Sequence, residues 1–223
     1  MKKKFNSLQI TCDGGAATGK STGAKMIAKK YKLSMMSSGL LYRYASYLVL
    51  KFKPKNKIAF LKKKFTKLNY KKIRRLNLYS PDISLHSANI AKILAVRNIL
   101  KMTQINFIKK NKNCVLEGRD ASTKILPNSD VKFFFVCSLN IAAKRRYNEL
   151  KKKNNNLKFK DVKKALRTRN FLDISRKNSP LLKHRDSIEI DTGKLNKQAM
   201  LAKMSRFVER ILIKKNGNRT RNK

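Results

Sequence analysis

Eight consecutive residues, Gly14-Gly15-Ala16-Ala17-Thr18-Gly19-Lys20-Ser21, satisfy the pattern G-x-x-x-x-G-K-[ST]. The residue types at this spacing dictate a chemistry. Glycines let backbone amides turn inward around a phosphate, a lysine at the far end reaches the β and γ phosphates, and the hydroxyl after it is placed to ligate Mg2+. Such a loop works only between a strand and a helix. Leu8 to Cys12 is a short apolar and β-branched run, and Ala24, Ile27 and Ala28 recur at helical spacing after Lys20. The segment ending at Thr22 is therefore predicted to bind a nucleoside triphosphate, with Lys20 on the phosphates and Ser21 on the metal. Hydrolase motors, nucleotide switches and small-molecule kinases all use this loop. A guanine-reading N-K-x-D is missing, since Asn56-Lys57-Ile58-Ala59 lacks the Asp, and the short chain with abundant arginines favours a kinase.

A second constellation suits a second anion. Ser37 to Arg43 follows the apolar run Leu33 to Met36, and Glu117-Gly118-Arg119-Asp120 follows Val115-Leu116. Both segments should face the same edge as the phosphate loop. Arg167, Arg169, Asp173 and Arg176 form a spaced set on a later helix. Arginines behind strand ends, beside a triphosphate loop, are what an anionic co-substrate requires.

The elements that must position these groups read as a doubly wound, three-layer α/β fold around a parallel sheet. Val131 to Val136 and Ile188 to Ile190 supply further strands, and Leu195 to Ile213 a final helix. Ser80-Pro81-Asp82 opens a helix over Ile83 to Ala95, followed by one over Val96 to Ile108. Lys51 to Leu78, dense in Lys and Arg, reads as an insert of short surface helices, and the basic tail 214–223 as frayed. Asn154 to Asn156, preceded by three lysines, is the most linker-like stretch and suits a mobile lid.

The chain has 223 residues, 56 Lys plus Arg against 12 Asp plus Glu, a formal charge of +44, and 41% hydrophobic residues. That apolar share excludes a disordered chain, and the length suits one folding unit. No apolar run approaches the ~20 residues of a membrane span. Met1 to Lys4 is basic, but Asn6, Ser7 and Gln9 interrupt any signal-peptide core. Cys12, Cys114 and Cys137 each sit in a strand-like apolar run, and His86 and His184 stand in no ligand pattern. A reducing cytoplasm, a monomer and no Cys/His metal site are expected. The charge has two readings: drift in composition, or nonspecific attraction of polyanions.

In its motifs the chain resembles the bacterial cytidylate kinases over nearly its whole length. The family's D-G-P-x-G-S-G-K-S-T is matched by Asp13 to Thr22, its D-[ST]-G-x-x-Y-R by Ser37 to Arg43, and its I-R-T-P-E-V by Leu78 to Ile83. Its D-G-R-D is matched by Glu117 to Asp120, its R-x-x-x-D-x-x-R and A-P-L by Arg169, Asp173, Arg176 and Ser179 to Leu181, and its L-D-T-T by Ile190 to Gly193. The resemblance implies transfer of the ATP γ-phosphoryl group to CMP or dCMP with Mg2+. It also implies a monophosphate-binding region over 38–112, which includes Ser38, and a lid over 147–165 inside a single domain.

By the same resemblance, Arg43 and Arg119 hold the acceptor phosphate, Arg169 bridges the transferring phosphates with Arg176 beside it, and Asp173 accepts from the sugar hydroxyls. Arg145 and Arg146 close over ATP, and Glu117 holds Mg2+ through water. Cytosine presents an amino donor and two acceptors on its pairing edge, which Asp120 and Arg97 complement. Gly15, Ala17, Ser37 and Glu117 depart from the family residues, and Ala88, next to Ser87, stands where the family has a base-contacting serine. Two other functions compete: a basic nucleic-acid-binding NTPase, and a kinase for another small molecule such as a shikimate-like substrate.

Overall fold

The computed structural model describes residues 7–151 and 156–220, the last four as backbone only. Five strands, β1 (Leu8–Gly14), β2 (Ser34–Ser37), β3 (Asn113–Glu117), β4 (Val131–Val136) and β5 (Ile188–Asp191), form one sheet in the order β2-β3-β1-β4-β5. Every pairing is parallel, so all five carboxyl ends share an edge. The three-layer parallel sheet expected from the alternation of apolar runs and helices is observed.

The period of two along a strand divides the core. Val115 of β3 joins one hydrophobic cluster and its neighbour Leu116 another. In the first, α1 (Lys20–Lys30) and α9 (Lys197–Thr220) cover the sheet with Ile27, Met204 and Val208 against Ile10, Phe133 and Phe135, none measurably exposed. In the second lie α2 (Ser38–Phe52), α3 (Lys57–Thr66), α4 (Tyr70–Ile73), α5 (Pro81–Ile90) and α6 (Leu94–Lys110). α7 (Leu139–Lys151) and α8 (Phe159–Ser175) add a small third cluster against Ala16 of the phosphate loop.

Several elements differ from their sequence-based limits. The helix expected over 83–95 stops at Ile90, and α6 begins at Leu94 after a turn. The helices of the basic insert are short, as expected, yet they are not surface elements alone: Leu61, Phe65, Ile73 and Leu78 are buried in the second cluster. Cys137 lies one residue beyond β4, half-buried, while Cys12 and Cys114 are buried strand residues.

The segment 214–223, expected to be frayed, is helical to Thr220, and within it Lys215 donates to the Ser7 carbonyl at 2.9 Å and pairs with Asp130 at 2.6 Å. Residues 221–223 lie outside the described residues, as do 152–155 in the middle of the segment expected to be a lid. Among the described residues no helix is long and apolar enough to cross a membrane.

Candidate active site

The sheet edge delivers the phosphate loop as the sequence predicts, from the end of β1 into the start of α1. Two glycines are demanded by geometry. Gly14 has φ +149°, and a Cβ there would lie 2.4 Å from the Phe135 carbonyl oxygen. Gly19 caps α1 at φ +85°, a left-handed conformation that costs other residues about 1 kcal/mol. Ala17, where the family pattern has glycine, also sits in the left-handed region at φ +58° and bears that cost.

Lys20 is buried and lies across its own loop, donating to the Gly15 carbonyl at 2.9 Å with its Nζ 3.6 Å from Glu117 Oε1. Burial, reinforced by the nearby Arg119 guanidinium and only partly opposed by Glu117, lowers its pKa to about 7. Ser21 is exposed at the first turn of α1, and Thr18 Oγ1 donates to Gly15 at 3.0 Å.

Glu117 explains a departure in the sequence. Its second carboxylate oxygen accepts from the Ser37 hydroxyl, and the Ser37 amide donates to Tyr70 Oη at 2.7 Å. A longer acid on β3 thus meets a short hydroxyl at the end of β2. The same chain of contacts ties the basic insert, through Tyr70, to the residue facing Lys20.

The acceptor-side groups converge from four elements. Arg119 Nε donates to Asp173 Oδ2 at 2.9 Å, and Arg176 donates to Asp173 Oδ1 at 3.2 Å. Burial alone would raise the Asp173 pKa, but Arg119, Arg169 and Arg176 outweigh it and hold the carboxyl below its usual range. Arg43 on α2 donates to Ser84 Oγ at 2.5 Å and stacks 4.8 Å over Tyr79. Arg169 donates to the Ser84 carbonyl at 2.8 Å, while its buried Nε has no partner among the described residues. Burial and then mutual repulsion lower Arg43 to about 9 and Arg169 to about 10. Asp173 alone cannot neutralise such a cluster, which therefore favours an anion.

Beside it, Arg97 is ion-paired with Asp120, both buried, and its NH1 donates to the Ala91 carbonyl at 3.2 Å. These residues adjoin a cavity of about 30 Å3 lined by Ser38, Tyr42, Ser87, Ala88, Arg119 and Asp120 among others. Ser87 is in the wall next to Ala88, with its hydroxyl donating to the Ser84 carbonyl at 2.8 Å. The cavity is far smaller than the roughly 300 Å3 or more of ligand pockets in general, and the Arg169–Ser84 contact joins α8 to α5 beside it.

The two arginines expected over ATP contact different elements. Arg145 donates to Thr192 Oγ1 at 2.8 Å and to its carbonyl at 2.7 Å, and Thr192 in turn donates to the Thr18 carbonyl at 2.8 Å, which links Arg145 to the phosphate loop. Arg146 instead donates to the Tyr79 carbonyl at 3.2 Å, on the acceptor side with Arg43. Arg167 is exposed.

Sequence reasoning also missed residues. Asn170 Oδ1 accepts from the Ala16 amide at 3.0 Å and so ties α8 to the phosphate loop. The buried Asp13 accepts from the Ala121 and Ser122 amides and the Ser122 hydroxyl at 2.6–2.9 Å, holding a short π-helix over Ala121–Ile125. A polar residue directly before the loop glycine was the visible signal for Asp13. Asn170 carried none.

The comparisons with known proteins agree with this geometry. The family model described as cytidylate kinase matches residues 10–210. A cytidylate kinase of Clostridium tetani is 32% identical over 223 residues, covering 95% of this chain and 98% of its own. That of Bartonella tribocorum is 33% identical over 208 residues, covering 91% and 95%. A crystal structure of a protein from Eubacterium ventriosum superposes with a TM-score of 0.51 at 15% identity, covering 91% of this chain and 98% of the other, which bears on the fold alone. A triphosphate loop, an unneutralised arginine cluster and matched relatives along almost the whole chain place it in the cytidylate kinase family, as a nucleoside monophosphate kinase that acts on CMP.

Proposed function

We propose that this chain transfers the γ-phosphoryl group of ATP to CMP or dCMP, with the division of labour that the site suggests. The observation that carries it is the half-buried arginine cluster around Asp173, with Arg169 Nε unpartnered among the described residues, beside a complete phosphate loop. Gly14 to Thr22 hold the donor phosphates, and Arg43, Arg119 and Arg169 hold the acceptor phosphate and the group in flight. Ser38 lies in the cavity wall below them. Asp173 fixes Arg119 and Arg176 and so sets their aim; its reach to a sugar hydroxyl requires release of one of them. No covalent intermediate is needed, because alignment of the two nucleotides and neutralisation of the equatorial oxygens suffice.

Among the described residues no group of three His, Cys, Asp or Glu side chains is arranged to hold a metal. A Mg2+ ion fits the remaining donors, because this hard cation keeps several waters and takes phosphate oxygens. Ser21 would ligate it directly and Glu117 through water, and when bound it neutralises phosphate charge. The region 38–112 is read as the monophosphate-binding part and 147–165 as the lid of a single domain. A monomer in the cytoplasm remains the reading from the sequence.

The test is a coupled assay of ADP release across nucleoside monophosphates. Turnover with CMP and dCMP well above that with AMP and GMP is expected, and equal turnover with all four would overturn the assignment. Arg43→Ala should raise KM for CMP at least tenfold while changing KM for ATP less than threefold. Equal changes in both would contradict the separation of the sites.

The lowered Lys20 pKa yields a second measurement. At pH 8 a group titrating at about 7 is mostly neutral, and triphosphate binding favours its charged form. Binding of a non-hydrolysable ATP analogue at pH 8 should therefore take up close to one proton, read by calorimetry in buffers of different ionisation enthalpy. Lys20→Ala should abolish that uptake. Uptake unchanged in the variant would assign the proton to another group.

A further inference from the structure

The basic insert carries a surface to which none of the residues assigned to the two nucleotides belongs. From Gly14 to Pro81 the chain contains no Asp or Glu, and between Lys51 and Arg75 it carries twelve lysines and arginines. All twelve are exposed. Elsewhere three exposed glutamates pair with a basic neighbour: Glu149 with Arg146, Glu189 with Lys183, and Glu209 with Lys30. Among the described residues no ion pair includes a cation from Lys51 to Arg75. The positive field is thus concentrated on α3, α4 and the end of α2, where nothing offsets it.

The chemistry of the patch selects its partner. The apolar residues of these helices, Leu61, Phe65 and Ile73, turn inward to the core, so no continuous apolar stripe is left to enter a lipid surface. Besides Leu50 and Leu76, exposed separately at the two ends of the segment, what projects is one ring: Phe52 is 51% exposed, with Lys51 Nζ at 5.6 Å and Lys64 Nζ at 5.5 Å from its centroid. A cation-flanked aromatic ring beside rows of lysine matches a strand that offers phosphates at regular spacing and bases free to stack. We propose that the outer face of α3 and α4, with Phe52, binds single-stranded nucleic acid independently of the kinase site.

The probe is a 20-nucleotide oligo(rA) with a 5′-hydroxyl, which presents no cytosine to the active site, read by fluorescence anisotropy. Binding should persist with saturating ATP analogue and CMP. It should weaken with salt with a log–log slope of roughly −3, as expected for four to five neutralised phosphates on a single strand.

Replacing Lys62, Lys63, Lys64, Lys71 and Lys72 together by Gln, which keeps helix propensity, should lower affinity at least thirtyfold at 0.1 M salt. A charge-matched control, Gln at the exposed Lys25, Lys29, Lys194, Lys197 and Lys214, should lower it less than threefold. Phe52→Ala should lower it about fivefold or more. Both five-site variants should keep the wild-type melting temperature and the wild-type affinity for the ATP analogue, whose phosphates are assigned to Gly14 to Thr22. Equal losses in the two variants would overturn the proposal, because the whole basic surface would then be responsible. So would absence of oligo(rA) binding at 0.1 M salt, or competition by CMP. Binding to vesicles of anionic phospholipid without binding to oligo(rA) would overturn it in favour of a membrane partner.

Discussion

Lys20→Ala should reduce kcat for CMP phosphorylation by about 10³-fold or more, which corresponds to roughly 4 kcal/mol of lost transition-state stabilisation. The reason lies in where the ammonium sits. Lys20 is buried at the phosphate loop, held by the Gly15 carbonyl and facing Glu117, in a place where solvent cannot screen its charge. Such a group is worth most to charge that develops on the transferring phosphoryl group, and little to the folded state, which meets the cost of desolvating it. The melting temperature should therefore change by no more than a few degrees. A folded variant with near-wild-type turnover would show that the loop does not hold the donor phosphates. KM for CMP should move far less than kcat, since the acceptor-side arginines remain.

The second large effect concerns base choice. Asp120→Asn should lower kcat/KM for CMP by about 10²-fold to 10³-fold and narrow the preference for CMP over UMP. A carboxylate accepts from the amino group of cytosine but repels the carbonyl that uracil presents at the same position, whereas an amide can donate to that carbonyl. The structure adds a complication that adjacency in sequence did not suggest. Asp120 pairs with Arg97, 23 residues away, and not with its neighbour Arg119, which is taken by Asp173.

Weakening a buried pair costs up to about 3 kcal/mol, so the variant should also melt at a lower temperature. The ratio of specificity constants separates the two effects. A loss of stability or of Arg97 orientation alone lowers both substrates alike and leaves the ratio unchanged, and that outcome would reject base reading by Asp120. Ser87 belongs to the same test. It lines the cavity beside Ala88, and Ser87→Ala should leave the ratio within about twofold if its hydroxyl serves only the Ser84 carbonyl.

How far each part of this site could be read in advance follows from how its partners are distributed along the chain. The phosphate loop was fully legible because its ligands are backbone amides of consecutive residues, set by glycine and by the strand and helix on either side. The strands were legible for a related reason: the central β1, β3 and β4 are largely buried on both faces and read as apolar runs, the edge strands β2 and β5 keep a short apolar core, and only the limits shifted by a residue or two. Arginines behind strand ends were recognisable as a class, since the carboxyl edge of a parallel sheet collects them whatever their partners.

The partners themselves were not legible. Asn170 meets the Ala16 amide across 154 positions, Thr192 meets Thr18 across 174, and Tyr70 meets Ser37 across 33. Helical periodicity assigns Asn170 and Tyr70 to a helix face and says nothing of Thr192 in its loop, but the strand order β2-β3-β1-β4-β5 and the docking of α4 and α8 decide what each touches. The same holds for Arg145 and Arg146, adjacent in sequence yet about 100° apart around α7, one bonded to Thr192 beside the phosphate loop and the other to the Tyr79 carbonyl. Composition and spacing therefore determined the kind of chemistry and the edge on which it occurs. Only tertiary structure decided which carboxylate neutralises which guanidinium, because that depends on distances between elements that local residue preferences do not encode.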